Sequence, residues 1–267
     1  IAGALFALEI ILGDIGFETF SPIVISSVTA TVISHHFFGS SPAFLVPEYS
    51  LVSAWELPLY ALLGIVASFF ALLYIKAIYA SEDLFEKLPM PESLKTAVCG
   101  LIFGVAFFSL PQVYGVGYDV IENAVAGHGA WSILLTLAFL KLAATALTLG
   151  GGFSGGIFAP SLFIGAMLGA AFGQLSHALF PAITAASGAY ALVGMGAMVA
   201  AATQAPIVAI VILFEMTGDY QIILPLMISC IIATLLTASL KRESIYTLKL
   251  VRRGVDLRSG REQTVLR

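Results

Sequence analysis

Charged residues are scarce in this sequence, and over one long stretch they are missing altogether. Between Leu142 and Phe214 there is no Asp, Glu, Lys or Arg. Charged residues make up 10% of the chain, whereas a soluble domain carries roughly 25%, and the mean hydropathy is +1.00. The uncharged stretch is long enough to cross a bilayer several times at about 20 residues per helical crossing. The composition therefore excludes an ordinary soluble domain and predicts an all-α integral membrane protein.

Cysteine is also scarce, and neither cysteine has the neighbours that a redox or metal site needs. Cys99 and Cys230 each lie in an apolar segment without a CxxC motif or a His-rich neighbour. We therefore expect two small core residues rather than a disulfide or a metal ligand. We also expect no enzymatic activity, no cofactor and no nucleic-acid partner.

Positive charge is distributed unevenly along the chain, and its position predicts the orientation in the membrane. The loop 37–56 contains no Lys or Arg, whereas Lys76, Lys87 and Lys95 flank a polar loop at 81–92. Eight of the twelve basic residues lie near the C-terminus: Lys241, Arg242, Lys249, Arg252, Arg253, Arg258, Arg261 and Arg267. Because basic segments remain in the cytoplasm, we place the C-terminus and the 81–92 loop inside and the 37–56 loop outside. The expected location is the plasma (inner) membrane.

Several apolar segments are too short to span a bilayer as straight helices. The segments 96–110 and 206–216 hold only about 11 to 15 residues, which predicts tilted, broken or re-entrant helices. The segment 57–80 is long enough to span with some tilt. Within another apolar segment, Lys141 is a costly charge that is either functional or paired, or that snorkels to the membrane interface.

Two parts of the chain resemble each other, which indicates an internal repeat. The sequences Pro-Ile-Val-Ile-Ser at 22–26 and Ala-Thr at 30–31 recur as Pro-Leu-Met-Ile-Ser at 225–229 and Ala-Thr at 233–234. Upstream, Glu9 and Asp14 correspond to Glu215 and Asp219 with a small slip in spacing. We predict an inverted repeat whose first copy lacks its head, so that roughly 150 further residues precede Ile1 in the parent protein.

This repeat predicts four regions. Residues 1–40 are the tail of the first repeat, 41–56 the inter-repeat loop, 57–250 the second repeat with the anion site, and 251–267 a cytoplasmic linker.

A glycine-rich segment, Gly-Gly-Gly-Phe-Ser-Gly-Gly at 150–156, leads directly into Ile-Phe-Ala-Pro and a charge-free apolar run. It predicts a loop that opens a helix, with Pro160 in the first turn, where a missing N–H costs little. A helix start leaves backbone N–H groups unpaired and carries the positive end of the helix dipole, which together favour an anion. Neutral donors suit a permeant anion, which must bind strongly enough to enter and weakly enough to leave. The alternative is that the glycines only allow close helix packing.

The Gly-Ile-Phe-Ala-Pro sequence at 156–160 resembles the signature of the CLC family of chloride channels and chloride/proton exchangers. Further similarities are Gly-Val-Gly-Tyr at 115–118, the segment 204–220 and Ser-Ile-Tyr at 244–246. The resemblance implies a CLC-type inverted-repeat bundle of tilted and broken helices, N-terminally truncated here. It also implies a homodimer in the lipid bilayer with one pore per subunit, chloride as the substrate, protons as a second one in the exchangers, and a linker that leads to CBS domains.

The same resemblance implies the residues of the anion site. Backbone amides of Ile157 and Phe158 and the hydroxyl of Tyr246 would coordinate chloride, so the chloride-binding residues are Gly156, Ile157, Phe158 and Tyr246. The supporting residues are Gly155, Ala159 and Pro160. Two family segments, GSGIP with a serine ligand and GREGP with the gating glutamate, do not occur here, and we expect both in the missing head.

Proton coupling is left open by the sequence. In the exchangers that have an internal proton-transfer glutamate, this residue follows another glutamate, whereas here Glu9 is followed by Ile10. The protein is therefore either a channel or an exchanger that moves protons by another route. Glu9 is either part of a proton pathway or a helix-end carboxylate that accepts from nearby N–H groups.

Two functions of other classes compete with anion transport. Gly-Phe-Ser-Gly at 152–155 has the GxSG form of a rhomboid-type intramembrane serine protease, with Ser154 as nucleophile and His177 as base. A non-transporting structural subunit of a membrane complex is the other alternative.

Overall fold

The computed structural model describes residues 2–12, 17–39, 49, 51–252 and 254, and within them the chain forms helices and turns without a strand. This confirms the predicted all-α class. Most of the expected inter-repeat loop and of the C-terminal linker lies outside the described residues. The helices are α1 (Ala2–Phe6, continuing as a wider π-helical segment over Ala7–Leu12), α2 (Phe17–Phe38), α3 (Leu57–Glu86), α4 (Glu92–Phe107), α5 (Tyr118–Val125), α6 (Trp131–Gly150), α7 (Phe158–Leu179), α8 (Ser187–Thr203), α9 (Pro206–Thr217), α10 (Ile223–Leu240) and α11 (Thr247–Arg252).

Helix α3 is longer than the sequence predicted. We expected a break at residue 81, but the helix continues to Glu86. Residues 81–86 contain no Gly or Pro that would end the helix, and Phe85 in the last turn is buried. The polar residues in this stretch therefore continue the helix. The turn comes where Pro89 and Pro91 disfavour helix. The expected polar loop is therefore confined to residues 87–91.

Within the part of the chain that the structure describes, four helical segments are long and apolar enough to cross a membrane: Ala54–Glu86, Trp131–Gly150, Phe158–Leu179 and Ile223–Leu240. By contrast, α8 and α9 have only 17 and 12 residues, and the shortness of α9 was predicted from the segment 206–216. Nearly every residue of α8 is buried. A helix that is apolar and buried on all sides belongs in the interior of a bundle, so α8 is the central helix on which α3, α7 and α10 pack.

Helices α7 and α8 pack in backbone contact, and this packing depends on glycine. A Cβ atom placed on Gly165 would overlap the carbonyl oxygen of Gly194, and one on Gly194 would overlap that of Gly165. One turn further, a Cβ on Gly169 would overlap the carbonyl oxygen of Tyr190. Small residues four apart let two helices approach to backbone contact. This contact anchors α7, the helix whose first turn carries the predicted anion site.

Buried polar contacts join α3 to its neighbours. The hydroxyl of Ser229 on α10 donates to the carbonyl of Tyr60 at 2.6 Å, and that of Thr237 donates to the hydroxyl of Ser68 at 3.0 Å. At the start of α3 the fully buried carboxylate of Glu56 accepts from the backbone N–H of Ala185 at 2.6 Å. Such bonds keep buried polar groups paired where water is absent.

Two reciprocal hydrogen bonds relate α1 and α9. The N–H of Ala2 donates to the carboxylate of Glu215 at 2.9 Å, and the N–H of Val208 donates to the carboxylate of Glu9 at 2.8 Å. Each bond joins the start of one segment to the glutamate near the far end of the other. The two segments therefore lie antiparallel, which is the arrangement that the predicted inverted repeat would give them.

Candidate functional site

The glycine-rich loop between α6 and α7 begins as a tightened end of α6. The N–H groups of Gly151 and Phe153 donate to carbonyls in the last turn of α6, at 2.9 and 3.2 Å. From α4, the hydroxyl of Thr96 donates to the carbonyl of Gly151 at 3.0 Å, and the thiol of Cys99 donates to that of Leu147 at 3.1 Å. The start of the loop is thus held on both sides, so the residues that follow approach α7 in a defined direction.

The first turn of α7 presents unpaired backbone N–H groups, as the sequence predicted. Within the described part of the chain, no acceptor contacts the amide N–H of Gly155, Gly156, Ile157 or Phe158. The carbonyl of Ile157, by contrast, accepts from both the N–H and the hydroxyl of Ser161, at 3.1 and 2.7 Å. The free donors at the positive end of α7 can therefore bind an anion.

In the tertiary structure one aromatic ring, that of Phe6, contacts both Phe158 at the start of α7 and Tyr246. Phe6 on α1 lies edge-on to Phe158 and to Tyr246, with both ring centroids at 6.1 Å. The hydroxyl of Tyr246 has no acceptor among the described residues, so its proton is free to meet a ligand. Phe158 on α7 and Tyr246 before α11 thus contact the same aromatic ring, although α8, α9 and α10 separate them in the chain.

Two residues of this site were missed by sequence reasoning. Phe6 bridges Phe158 and Tyr246, and the hydroxyl of Tyr74 on α3 donates to the carbonyl of Ile157 at 3.4 Å. Phe6 is one of 19 phenylalanines and Tyr74 one of nine tyrosines, and both lie in ordinary apolar helices. No local signal distinguishes them, since their role depends on which helices become neighbours.

The segment that carries Tyr246 is fixed on both sides. Just before it, the N–H of Ile245 donates to the carbonyl of Ala202 at 3.0 Å, and the hydroxyl of Tyr79 donates to the carbonyl of Ile245 at 2.8 Å. After it, Arg252 on α11 forms a 2.6 Å ion pair with Asp83 at the end of α3. That hydrogen bond to the Asp83 carboxylate raises the pKa of Arg252 above its ordinary value. Both partners are exposed, so the pair contributes little to stability and mainly sets where α11 lies.

A cavity of about 170 Å³ adjoins the glycine loop. Its wall includes Gly155, Gly156 and Pro160 from the predicted site, together with Lys141, Thr145 and Thr148 from α6. Gly156 has no side chain to obstruct it, and a Cβ placed there would meet no atom within 4 Å. A small ion can therefore approach the free amides of the α7 start from this side.

Lys141 does not snorkel toward an interface. Its side chain is buried, with 3% of the residue exposed, and its ammonium contacts the carbonyls of Val113 and Gly115 at 2.8 and 2.6 Å. The snorkelling alternative is wrong because α7 and the 111–117 turn enclose this position.

Glu9 belongs to the π-helical continuation of α1. Its carboxylate reaches the start of α9, where it accepts from the N–H of Val208. This contact is the helix-end arrangement that was one of the two interpretations of Glu9. A carboxylate is favourable at a helix N-terminus because it accepts from unpaired N–H groups and opposes the helix dipole.

The separation of Ser154 from His177 excludes the serine protease alternative. Ser154 precedes the first turn of α7, whereas His177 lies in its last turn. The helix between them is about 28 Å long at 1.5 Å per residue, and the ring of His177 pairs with the hydroxyl of Thr184 at 2.9 Å. A serine–histidine pair requires direct hydrogen-bond contact, so these two residues cannot form one.

The chain is similar to known proteins both in sequence and in structure. The family model described as "Voltage gated chloride channel" matches residues 1–238. The chain is 38% identical over 256 residues to a ClcB-like chloride channel protein of Ralstonia nicotianae, covering 96% of this chain and 60% of that protein. It is 31% identical over 253 residues to the H(+)/Cl(-) exchange transporter ClcA of Vibrio parahaemolyticus, covering 92% of this chain and 54% of that protein.

Solved structures give the same result for the fold. A slow cyanobacterial Cl-/H+ antiporter superposes with a TM-score of 0.81 at 28% identity, over 94% of this chain and 60% of that one. A CLC-type fluoride/proton antiporter superposes with a TM-score of 0.78 at 20% identity, over 92% of this chain and 59% of that one. The chain thus spans little more than half the length of each of these four proteins.

Proposed function

Because this chain belongs to the voltage-gated chloride channel family, we propose that it forms the anion-binding second repeat of a protein that carries chloride across a membrane. The observation that carries this proposal is the set of free amide N–H groups at the start of α7, together with the free hydroxyl of Tyr246, whose ring contacts Phe6 as the ring of Phe158 does. These donors are neutral, and neutral donors replace the hydration shell of an ion without trapping it.

The proposed ligand set consists of the amides of Ile157 and Phe158 and the hydroxyl of Tyr246, with Gly156 leaving room for the ion. Gly155, Ala159 and Pro160 would support the site by shaping the first turn of α7. Chloride is the proposed substrate, and no cofactor enters the proposal. We also propose the division into 1–40, 41–56, 57–250 and 251–267, with the anion site in the second repeat at 57–250.

Placement in the membrane and assembly are further parts of the proposal. The basic residues after position 240 favour a cytoplasmic C-terminus in the plasma (inner) membrane. Helix α10 exposes an apolar stripe at Leu224, Met227, Ile231 and Leu235, which supports a contact with a second copy in a homodimer, in addition to contact with lipid.

The proposed function is tested with the full-length protein in liposomes under an imposed chloride gradient, with the voltage clamped by a potassium ionophore. We expect chloride flux that depends on the protein. Absence of flux from correctly folded protein would overturn the proposal. Proton movement is recorded in the same vesicles: uphill proton transport identifies an exchanger, and chloride flux without it identifies a channel or an uncoupled carrier.

Replacing Tyr246 by Phe is expected to weaken chloride binding by roughly fivefold, because one hydrogen bond worth about 1 kcal/mol is lost while the amides remain. Chloride affinity of the purified protein is measured by titration calorimetry. Tyr49→Phe is the matched control, since the hydroxyl of Tyr49 is also a single donor but contacts the carbonyl of Val125 on α5, outside the proposed ligand set. An equal loss of affinity in both variants would contradict the assignment of Tyr246.

Replacing Glu9 separates its two interpretations. Gln keeps an oxygen that accepts from Val208, so Glu9→Gln is expected to preserve stability and chloride flux, whereas Glu9→Ala should destabilise by about 1 kcal/mol through loss of the cap. Thermal unfolding and flux are compared for both variants. A Gln variant that retains chloride flux but loses proton transport would instead assign Glu9 to a proton pathway, which Ile10 cannot serve.

A further inference from the structure

Lys141 is a buried positive charge that no described acidic residue balances. It lies in the middle of α6 and is 3% exposed. Its ammonium contacts two neutral carbonyls, of Val113 and Gly115, and lies 4.9 Å from the centre of the Phe163 ring. Neither of the described ion pairs includes it, and α7, which packs against it, has no Asp, Glu, Lys or Arg. A buried charge without a counter-ion costs free energy. A bound anion beside Lys141 would lower that cost.

The ammonium of Lys141 has a donor to spare, and the residue lines a cavity. Of its three N–H groups, two are used by the carbonyls of Val113 and Gly115. Lys141 lines the 170 Å³ cavity together with Gly155 and Gly156, whose amides have no described acceptor. A volume of this size holds an ion with part of its water shell.

The other polar groups in the cavity wall are already committed as donors. The hydroxyl of Thr145 donates to the carbonyl of Lys141 at 2.8 Å, and that of Thr148 donates to the carbonyls of Ala144 and Thr145 at 3.0 and 3.1 Å. Each hydroxyl has a single proton. Among the wall residues named here, the N–H groups left to meet an anion therefore belong to Lys141 and the glycine loop.

We propose that Lys141 contacts the permeating anion in this cavity and raises its local concentration before the ion reaches the first turn of α7. The inference rests on the proposed function and extends it to a residue on a different helix. The ligand class is a small monovalent inorganic anion that keeps part of its hydration shell. The two carbonyls share the positive charge, which lets the ion leave again instead of binding permanently.

A merely structural role for Lys141, as a tie between α6 and the 113–115 turn, predicts different results. Loss of a tie lowers the amount of folded protein but leaves the half-saturating chloride concentration of the folded fraction unchanged. Loss of an anion contact raises that concentration. The two roles are therefore separated by measuring KM apart from maximal flux.

The experiment compares full-length wild type with Lys141→Met, Lys141→Arg and the exposed control Lys76→Met in liposomes, with flux measured over a range of chloride concentrations. We expect Lys141→Met to raise KM about tenfold, since a charged hydrogen-bond donor is removed. Lys141→Arg should stay within about threefold of wild type, and Lys76→Met should be unchanged. An unchanged KM in Lys141→Met would overturn the inference, whereas a wild type without flux would overturn the proposed function instead.

If Lys141→Met fails to assemble, a chemical variant decides the question. Lys141→Cys is modified with a thiosulfonate reagent that attaches an aminoethyl group, and separately with one that attaches a neutral hydroxyethyl group. The two products differ in charge but little in volume. Cys99 and Cys230 are replaced by Ala in this experiment, because position 141 is nearly as buried as these two native cysteines. We expect a lower KM only with the aminoethyl group. Equal KM values for the two products would contradict a contact between the charge and the anion.

Discussion

Replacing Gly156 by Ala is expected to reduce chloride flux at least tenfold while leaving the stability of the protein unchanged. The added methyl group would meet no protein atom within 4 Å, so the fold accepts it without strain. It would, however, project into the space through which an ion approaches the free amides of the α7 start, where an apolar group excludes a hydrated ion. The added methyl group is therefore expected to change chloride flux without changing stability.

Two measurements decide this prediction. Chloride flux is measured in liposomes, and thermal unfolding is measured on the same preparation. Gly104→Ala on α4 is the matched control, because a Cβ there also meets nothing within 4 Å but lies outside the lining of the cavity. Wild-type flux in the Gly156 variant would mean that ions do not pass this glycine.

Replacing Gly169 by Ala has the opposite expected outcome, a loss of folded protein. The new methyl group would overlap the carbonyl oxygen of Tyr190 and lie 2.8 Å from its carbonyl carbon. Backbone atoms inside two packed helices cannot move aside as a flexible side chain would. We expect a destabilisation of about 3 kcal/mol, at the upper end of what overpacking costs.

The sign of this effect is diagnostic. Gly→Ala within a helix ordinarily stabilises by about 0.5 to 1 kcal/mol, so Gly104→Ala should raise the unfolding temperature while Gly169→Ala lowers it. Unfolding is followed by thermal denaturation in detergent and by the fraction of protein that elutes as a single species. A Gly169 variant as stable as wild type would show that α7 and α8 lie further apart than the structure has them.

Some of the site could be predicted because its signals are local. An amide donor at a helix start needs only a glycine loop followed by an apolar helix, and 150–160 contain both. Tyr246 was predicted from its neighbours Ser244 and Ile245 through family resemblance. The alternatives for Ser154 and Lys141, by contrast, could be decided only when distances along and between helices were known.

The partners that complete the site come from distant parts of the chain. Phe6 on α1 joins Phe158 on α7 and Tyr246 in the turn before α11, and Glu9 meets Val208 at a separation of 199 residues. No pattern of hydropathy or spacing encodes such a pairing, because it depends on which faces of the helices pack together.

The amino-acid sequence by itself predicted the membrane environment of this protein, the shortness of α4 and α9 and the position of the glycine loop. These follow from composition and from periodicities of a few residues, which act locally. Only the tertiary structure decided which N–H groups remain free, where the charge of Lys141 is directed and which glycines touch another backbone. Those properties depend on the relative placement of whole helices, so they arise from packing over the entire chain.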